Sequence, residues 1–563
     1  MKQLVLIALS AISLSACSSG RPMPDPAPAP VQQPQAVDTT PAPAPAPSPA
    51  AAVPVNREAP RNWQLLDPGA DRVPGISVER AERELLAGRQ PRRSVVVAVI
   101  DGGVDTAHVD LRSNLWLNPK ETAGNGRDDD GNGYVDDVRG WNFIGGPDGK
   151  DVRWDTLELT RLYALCQKGT TASSRDSLPA AERQRCPEII ADYQQERSEA
   201  EQTLGNIRAA GDALDRSVQI LRQALGTDSL TTASVTAFRP ATPDATTARR
   251  IYLQLAANGI TPTLVAEARE ELEGRLEYGL NPQFEPRGIV GDDYLNVAER
   301  RYGNRDVMGP DADHGTHVAG IIGAVRGNSV GIDGVAPSVR IMSVRTVPDG
   351  DERDKDVANA IRYAVDNGAH IINMSFGKGY SPQKAAVDAA VKYADSRGVL
   401  MVHAAGNDGE NVDQEPSFPT PIYLDGGSPK HWIEVGASSW KGADSLAALF
   451  SNYGKSRVDV FAPGEDILST MPGGEYERQS GTSMAAPVVS GLAALLMSHY
   501  PTLSAADVKR VILESATRYP DQLVVRPGAP GEKVPFASLS ATGGIVNAYA
   551  AIRLAEDMAR VKQ

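Results

Sequence analysis

An aspartate, a histidine and a serine each stand in a short glycine-containing segment, and the three segments lie far apart in the chain. They are Asp101 in VIDGGVD, His314 in HGTHVAG and Ser483 in GTSMAAP. A serine hydroxyl is a weak nucleophile and needs a neutral imidazole to take its proton. The imidazole in turn needs a carboxylate that fixes its tautomer and stabilises the imidazolium. These residue types therefore suit nucleophilic catalysis by a serine.

The segments around these residues indicate the elements that must position them. Asp101 follows the apolar run Val95–Ile100, which is typical of a strand buried on both faces. In an open α/β sheet, ligands bind at the carboxyl ends of such strands. His314 and Ser483 each open an apolar helix. A helix N-terminus directs N–H groups and positive potential at a developing oxyanion, so this position suits a nucleophilic serine.

Alternation of strands and helices predicts an α/β fold with a doubly wound parallel sheet. The further predicted strands are Arg340–Val347, His370–Phe376, Val399–Ala405 and Trp432–Ala437, and the main helices are Asp354–Asn367 and Pro382–Ser396. Residues 153–290 interrupt this pattern. Apolar positions spaced by three and four residues from 190 to 225 predict a long helix, and a second helical stretch covers 264–278. The sequence thus predicts a helical insert between Asp101 and His314. The insert is either a decorative helical hairpin or a lid or docking arm.

The two helix-opening motifs, together with the order Asp, His, Ser, resemble the subtilases, a family of serine peptidases in which that order is known. The resemblance covers about residues 94–150 and 290–556. It implies a catalytic triad of Asp101, His314 and Ser483 that hydrolyses peptide bonds through an acyl-enzyme. Asn407, which follows a predicted strand, matches the family's oxyanion-binding asparagine. One departure is Gly102, because the family usually has serine or threonine after the catalytic aspartate.

The same resemblance implies a primary specificity pocket with two walls. The wall residues are Ser375, Phe376 and Gly377 on one side, and Ala404, Ala405 and Gly406 on the other. Phe418-Pro419 matches an aromatic–proline pair near the pocket floor, a pair that is often joined by a cis peptide bond. By contrast, His317 and His403 are predicted to pack internally.

Five aspartates between residues 128 and 137 predict a calcium site. Asp128, Asp130, Asn132 and Gly133 match the opening of an EF-hand loop. Position twelve is Arg139 instead of glutamate, so Asp136 or Asp137 must complete the shell. The alternative is a solvated acidic turn.

A second calcium site is implied by the family resemblance. Asp110 and Asn328 match its side-chain ligands, but Arg326 occupies one of its backbone positions.

The N-terminus predicts export. Met1 and Lys2 precede a short apolar run that ends in Leu14-Ser15-Ala16-Cys17, which resembles a lipoprotein cleavage site. Cys17 would then carry a lipid that anchors the protein to a membrane, and Ser18 favours the outer membrane. A generic signal peptide with a chance cysteine is the alternative. Cys166 and Cys186 are the remaining cysteines, and in an oxidising compartment they form either a disulfide or two free thiols.

Composition limits the remaining possibilities. The 563-residue chain is 41% hydrophobic and 23% charged, as expected of a globular protein, and its net charge of −14 argues against a nucleic-acid partner. The predicted organisation is a signal peptide (1–17), a Pro/Ala-rich linker (18–60), a short N-terminal extension (61–93), a catalytic domain in two parts (94–152 and 291–556), the helical insert (153–290) and a tail (557–563). The leading prediction is an endopeptidase that cleaves proteins or peptides. The alternative is an inactive lipoprotein scaffold that binds partners through the insert.

Overall fold

A computed structural model describes residues 58–168 and 180–562, without the side chains of residues 180–182. The predicted signal peptide, Cys17 and almost all of the linker lie outside the described residues. The strands are β1 (Val95–Asp101), β2 (Gly140–Asn142), β3 (Val339–Arg345), β4 (Ile371–Met374), β5 (Leu400–Ala404), β6 (Trp432–Ser438), β7 (Val460–Pro463), β8 (Ile467–Met471), β9 (Glu475–Gln479), β10 (Thr517–Arg518), β11 (Leu523–Arg526), β12 (Ala529–Pro535) and β13 (Gly544–Ile545).

Nine of these strands form the central sheet, in the order β10-β13-β7-β6-β5-β4-β1-β3-β2. All neighbours in it are parallel except β10 and β13. The α/β fold with a mostly parallel sheet is therefore confirmed. Because β1, β4 and β5 are neighbours and parallel, their carboxyl ends bring Asp101, Ser375 and Ala405 to one edge of the sheet.

Helices cover both faces of this sheet. The α-helices among the described residues are α1 (Val78–Glu84), α2 (Glu158–Lys168), α3 (Ala180–Leu225), α4 (Thr232–Ala237), α5 (Pro243–Ala257), α6 (Pro262–Gly274), α7 (Asp313–Gly323), α8 (Asp354–Asp366), α9 (Lys384–Ser396), α10 (Thr482–His499), α11 (Ala505–Glu514) and α12 (Ala548–Val561). Val97 and Val99 of β1 pack into a core with α7 and α10, whereas Ala98 and Ile100 pack into a second core with α8 and α9. Burial on both faces explains why β1 is apolar throughout.

The segment predicted as an N-terminal extension contributes to the first of these cores. Trp63, Leu65, Ile76, Val78 and Ala81 are fully buried. The indole Nε1 of Trp63 also donates a hydrogen bond to the carbonyl of Glu465, at 3.1 Å. Full burial of side chains the size of Leu65, Ile76 and Val78 adds roughly 1.5–3 kcal/mol each. Residues 59–86 therefore fold as part of the catalytic domain.

The insert is helical, and the long helix predicted from residue 190 is observed as α3. Tyr193, Ala200 and Leu204 are buried in its first part, and Ile207, Leu214 and Leu221 in its second. The chain divides into two compact units, and residues 205–268 belong to the smaller one. Within that unit, Leu221, Val235 and Ala248 form a small core of their own. A disulfide between Cys166 and Cys186 joins α2 to α3 in the larger unit.

In the part of the chain that the structure describes, one helix is long and apolar enough to cross a membrane. It is α10, and 94% of it is buried within the fold. This burial is that of a core helix of the sheet.

Candidate active site

Asp101 and His314 form a hydrogen-bonded pair at the carboxyl end of β1. The imidazole Nδ1 lies 2.8 Å from Asp101 Oδ1. Asp101 is 2% exposed, whereas the His314 side chain in the first turn of α7 is 43% exposed. The buried Asp101 carboxylate therefore holds Nδ1 of the imidazole, and Nε2 is left to receive a proton.

The surroundings of His314 set its pKa. Burial lowers the pKa of His314, but the charge of Asp101 and the hydrogen bond to it outweigh that effect and raise the pKa above its ordinary value of 6.5. Asp101 Oδ1 also accepts from the Gly102 N–H, at 2.7 Å. Asp101 Oδ2 is buried and accepts no hydrogen bond from the described residues. The hydroxyl that the family resemblance leads us to expect at position 102 is absent, because that residue is Gly102.

Ser483 stands at the start of α10, as the apolar run after it predicts. Its hydroxyl donates to the carbonyl of Ser375, at 3.1 Å. A hydroxyl has one proton, so transfer to His314 requires Ser483 to release this contact. In return, the Ser375 hydroxyl donates to the carbonyl of Ser483, at 2.9 Å. These two contacts fix the start of α10 against the end of β4.

Asn407 is oriented by a residue that the sequence reasoning missed. Its side-chain oxygen accepts from the Thr482 N–H at 2.8 Å and from the Thr482 hydroxyl at 3.0 Å. With the oxygen engaged, the amide nitrogen is turned away and left to donate. Because Thr482 directly precedes Ser483, this donor is tied to the nucleophile's own helix. The threonine of the GTS motif was therefore the feature of the sequence that could have identified this contact.

The two predicted pocket walls follow adjacent strands, β4 and β5. Ser375, Ala404 and Ala405 are buried. Gly406 has a φ of 105°, and a Cβ there would lie 2.3 Å from Asn452 Nδ2, so the wall requires glycine. The Phe418–Pro419 bond is cis, in agreement with the family pattern.

His403, which directly precedes the wall residue Ala404, contacts Phe376 of the other wall. It is fully buried, as predicted, but both ring nitrogens have polar partners. Nε2 lies 2.9 Å from the Phe376 carbonyl, and Nδ1 lies 2.8 Å from Glu434 Oε1. His403 therefore connects Phe376, which follows β4, to Glu434 of β6.

His317 behaves as a core residue. It is fully buried, and its Nε2 lies 3.0 Å from the Ile467 carbonyl and 3.1 Å from the Glu477 carbonyl. Burial lowers its pKa to about 3, so this histidine stays neutral.

The acidic loop gathers Asp128 and Asp130 with Glu121, a residue that the sequence reasoning missed. One carboxylate oxygen of each lies within 4.8 Å of the others. Glu121 Oε2 is buried and has no hydrogen-bond partner among the described residues. The loop backbone is held by its own aspartates, since Asp128 accepts from the N–H groups of Asn132 and Gly133.

The two aspartates predicted to complete the shell lie outside this cluster. Asp136 pairs with Arg305, at 2.5 Å. Asp137 is fully buried and accepts from the Tyr363 hydroxyl at 2.7 Å and from Asn132 Nδ2 at 3.0 Å. Glu121 stands seven residues before the loop, where the EF-hand pattern gives no signal.

Asp110 and Asn328, the predicted ligands of a second site, do lie together. Asn328 Nδ2 donates to Asp110 Oδ1 at 2.6 Å, and the Ile332 N–H donates to Asp110 Oδ2 at 3.0 Å. Arg326 pairs with Glu82 of α1. The two predicted ligands are therefore in contact with each other, and the second calcium site stays a prediction.

Known proteases are similar to parts of this chain. The thermophilic serine proteinase of Bacillus sp. (strain AK1) is 42% identical over 219 residues, which are 39% of this chain and 49% of that protein. Subtilisin E of Bacillus subtilis (strain 168) is 38% identical over 214 residues, or 37% of this chain and 51% of that protein. The chain thus spans about half the length of these relatives. A solved structure of a mutant protease domain of PatA is 32% identical and covers 44% of this chain and 82% of that chain, with a TM-score of 0.35.

The profile of the subtilase family matches residues 92–531, which is most of the chain. The match includes Asp101, His314, Asn407 and Ser483. The chain therefore belongs to the subtilase family.

Proposed function

We propose that the protein is a serine endopeptidase that hydrolyses peptide bonds of proteins. The observation that carries the proposal is the buried Asp101–His314 pair beside a helix that presents both Ser483 and the residue orienting Asn407. The family membership and the relative named as a thermophilic serine proteinase support it. The alternative of an inactive scaffold has no support, because every group that the chemistry needs is present.

The chemistry follows from these groups. His314 Nε2 takes the proton of Ser483 as Oγ attacks the carbonyl carbon, and Asp101 stabilises the imidazolium that forms. The oxygen that becomes negative receives a hydrogen bond from the Asn407 amide. His314 then gives the proton to the leaving amine, and the acyl-enzyme remains on Ser483. A water molecule, deprotonated by His314, then attacks the acyl carbon. The bond to Ser483 Oγ breaks, His314 returns the proton to Oγ, and the acid product leaves.

The substrate residue before the scissile bond would lie between the two pocket walls. Apart from Phe376, which packs against the second core, residues 375–377 and 404–406 carry small side chains, which suits an extended peptide. The test is digestion of an unfolded protein by the wild type and by Ser483→Ala, with new chain ends identified by mass spectrometry. Internal cleavage by the wild type alone is expected. Equal cleavage by both would overturn the proposal.

We further propose that Asp128 and Asp130, with Glu121 in place of Asp136 and Asp137, bind a structural calcium ion. Clustered carboxylates are the ligands that calcium prefers, and the unpartnered oxygen of Glu121 fits that demand. When bound, the ion would offset the repulsion among these carboxylates. Calorimetric titration of calcium into the wild type and into Glu121→Gln tests the assignment, and equal affinities would contradict it.

For location, we propose that the protein is exported and anchored to the outer membrane by a lipid on Cys17. The Pro/Ala-rich linker would connect this anchor to the folded domain. The support is the sequence pattern alone. Cys17→Ser should then release a soluble enzyme with unchanged specificity, because the lipid acts only as a tether. Fractionation of cells that express each form decides this, and a variant that stays with membranes would contradict it.

A further inference from the structure

We propose that the first helix of the insert, α2, positions one wall of the specificity pocket, with Glu158 acting on that wall through Lys378. This inference rests on the proposed peptidase function and assigns the insert a role in it. Lys378 directly follows the wall residue Gly377. Its backbone exchanges two hydrogen bonds with Phe418, of 3.1 and 2.8 Å, so it also joins the wall to the predicted pocket floor.

Whereas the backbone of Lys378 contacts Phe418, its side chain lies in a buried cluster of charges. Its Nζ lies 2.8 Å from Glu158 Oε2 and 2.9 Å from Asp354 Oδ1, and it donates to the Glu352 carbonyl at 2.7 Å. Lys378 is 6% exposed and Glu158 is 2% exposed. A buried charge that loses its partner is strongly destabilising, so the lysine stays where these acceptors lie. The wall that carries it is held in the same way.

Glu158 is itself fixed. Arg161 Nη2 pairs with Glu158 Oε2 at 2.8 Å, and the Glu158 N–H donates to Asp351 Oδ2 at 2.8 Å. Burial alone would raise the pKa of Glu158, but the charges of Arg161 and Lys378 outweigh it and lower the pKa to about 2. Glu158 is therefore ionised at any working pH, and α2 is a fixed point for the wall.

A second contact from the insert lies two residues further along the same segment. The Tyr380 hydroxyl donates to Asp192 Oδ2 of α3, at 2.6 Å. The guanidinium of Arg185, also on α3, lies 5.2 Å from the centre of the Tyr380 ring. The Cys166–Cys186 disulfide joins these two helices. One end of the wall is thus held by the catalytic helix at Ser375, and the other by the insert at Lys378 and Tyr380.

If Glu158 acts only on the pocket wall, its loss should affect substrate preference and leave the reactivity of the catalytic serine unchanged. Loss of the Glu158 contact should change which residue the pocket accepts, while the reactivity of Ser483 should stay the same, because Glu158 contacts neither His314 nor Asn407. The variants are Glu158→Gln and, as a matched control, Asp356→Asn. Asp356 is an equally buried carboxylate whose partners are Arg287 and Tyr302.

Three readouts apply to each variant. The first is the ratio of kcat/KM for peptides with large and with small residues before the scissile bond. The second is the rate of inactivation by diisopropyl fluorophosphate, a small probe of the serine. The third is amide hydrogen exchange at residues 377–379, measured in a Ser483→Ala background so that it needs no activity.

Glu158→Gln should change the ratio about tenfold, mainly through KM, since a small misplacement of a positioning group is costly. Its inactivation rate should stay within about twofold, and exchange at 377–379 should accelerate. Asp356→Asn should lower thermal stability and leave both ratio and exchange unchanged.

An unchanged ratio and unchanged exchange in folded Glu158→Gln would overturn the inference, as would the same changes in Asp356→Asn. If Glu158→Gln does not fold, Asp192→Asn applies the same test at the Tyr380 contact. If the wild type cleaves no peptide, the proposed function fails, and the exchange measurement still decides whether Glu158 holds the wall.

Discussion

Replacing Gly102 tests whether the catalytic carboxylate carries an unmet hydrogen-bonding demand. Asp101 Oδ2 is buried without a donor among the described residues, whereas Oδ1 accepts from both His314 and Gly102. Gly102→Ser adds a hydroxyl to the residue that directly follows Asp101, where the family usually carries one. The substitution also adds a Cβ, which would lie 3.3 Å from the Val347 carbonyl oxygen and 3.4 Å from the Asp311 carbonyl oxygen.

Gly102→Ala is the matched control, because it adds the same Cβ and no hydroxyl. The crowding against Val347 and Asp311 is common to both variants, so it cancels in the comparison between them. What remains is the free energy of supplying a donor to a buried acceptor, about 1–2 kcal/mol. For a large domain this corresponds to a melting temperature roughly 2–4 °C higher for the serine variant than for the alanine variant.

The assay is scanning calorimetry of both variants in a Ser483→Ala background, which prevents self-digestion. We expect Gly102→Ala to melt below the parent and Gly102→Ser to melt above Gly102→Ala. Equal melting temperatures for the two variants would refute the reasoning, because the added hydroxyl would then have met no unsatisfied acceptor at Asp101.

The remaining predictions concern the oxyanion, the pH dependence and the metal. Asn407→Ala should lower kcat by about 10²–10³, the loss known for the equivalent donor in subtilisin, with a small change in KM, and an unchanged kcat would contradict the assignment. His314 must be neutral to accept the proton, and Asp101 raises its pKa, so kcat/KM should fall as pH drops through a midpoint above 6.5; a midpoint below 6.5 would contradict the pairing. Asp101→Asn should lower kcat about 10⁴-fold, and retention of wild-type kcat would contradict the role of the carboxylate. Chelation with EDTA should lower the melting temperature of the wild type and have less effect on Asp130→Ala, since an ion that binds only the folded chain stabilises it by about 2.7 kcal/mol at a hundredfold excess over its dissociation constant; equal responses would contradict the metal site.

Features that depend on neighbouring residues in the chain could be predicted from the sequence. The run that became β1 is continuously apolar because helices cover both faces of the sheet, and Asp101 lies where that run ends. The long helix α3 followed from apolar positions spaced by three and four residues. The motifs that open α7 and α10 were specific enough to name His314 and Ser483 as catalytic candidates.

Contacts between distant parts of the chain could not be predicted in this way. Glu121 reaches the acidic loop from outside the EF-hand pattern, and the Glu158–Lys378 pair joins residues 220 positions apart. Periodicity carries no information about such pairs, because a charged residue reads as solvent-exposed until its partner is known. For the same reason, Glu434 was not recognised as the partner of the buried His403.

The assignment of Ser483 as the nucleophile of a working peptidase underlies the proposed function. Its most direct test is incubation with a fluorophosphonate, followed by intact mass measurement and location of the adduct by peptide mapping. We expect one adduct per chain, on Ser483, with peptidase activity lost in step with labelling and no adduct on folded Ser483→Ala. An unlabelled wild type, or an adduct on another residue that removes activity, would contradict it.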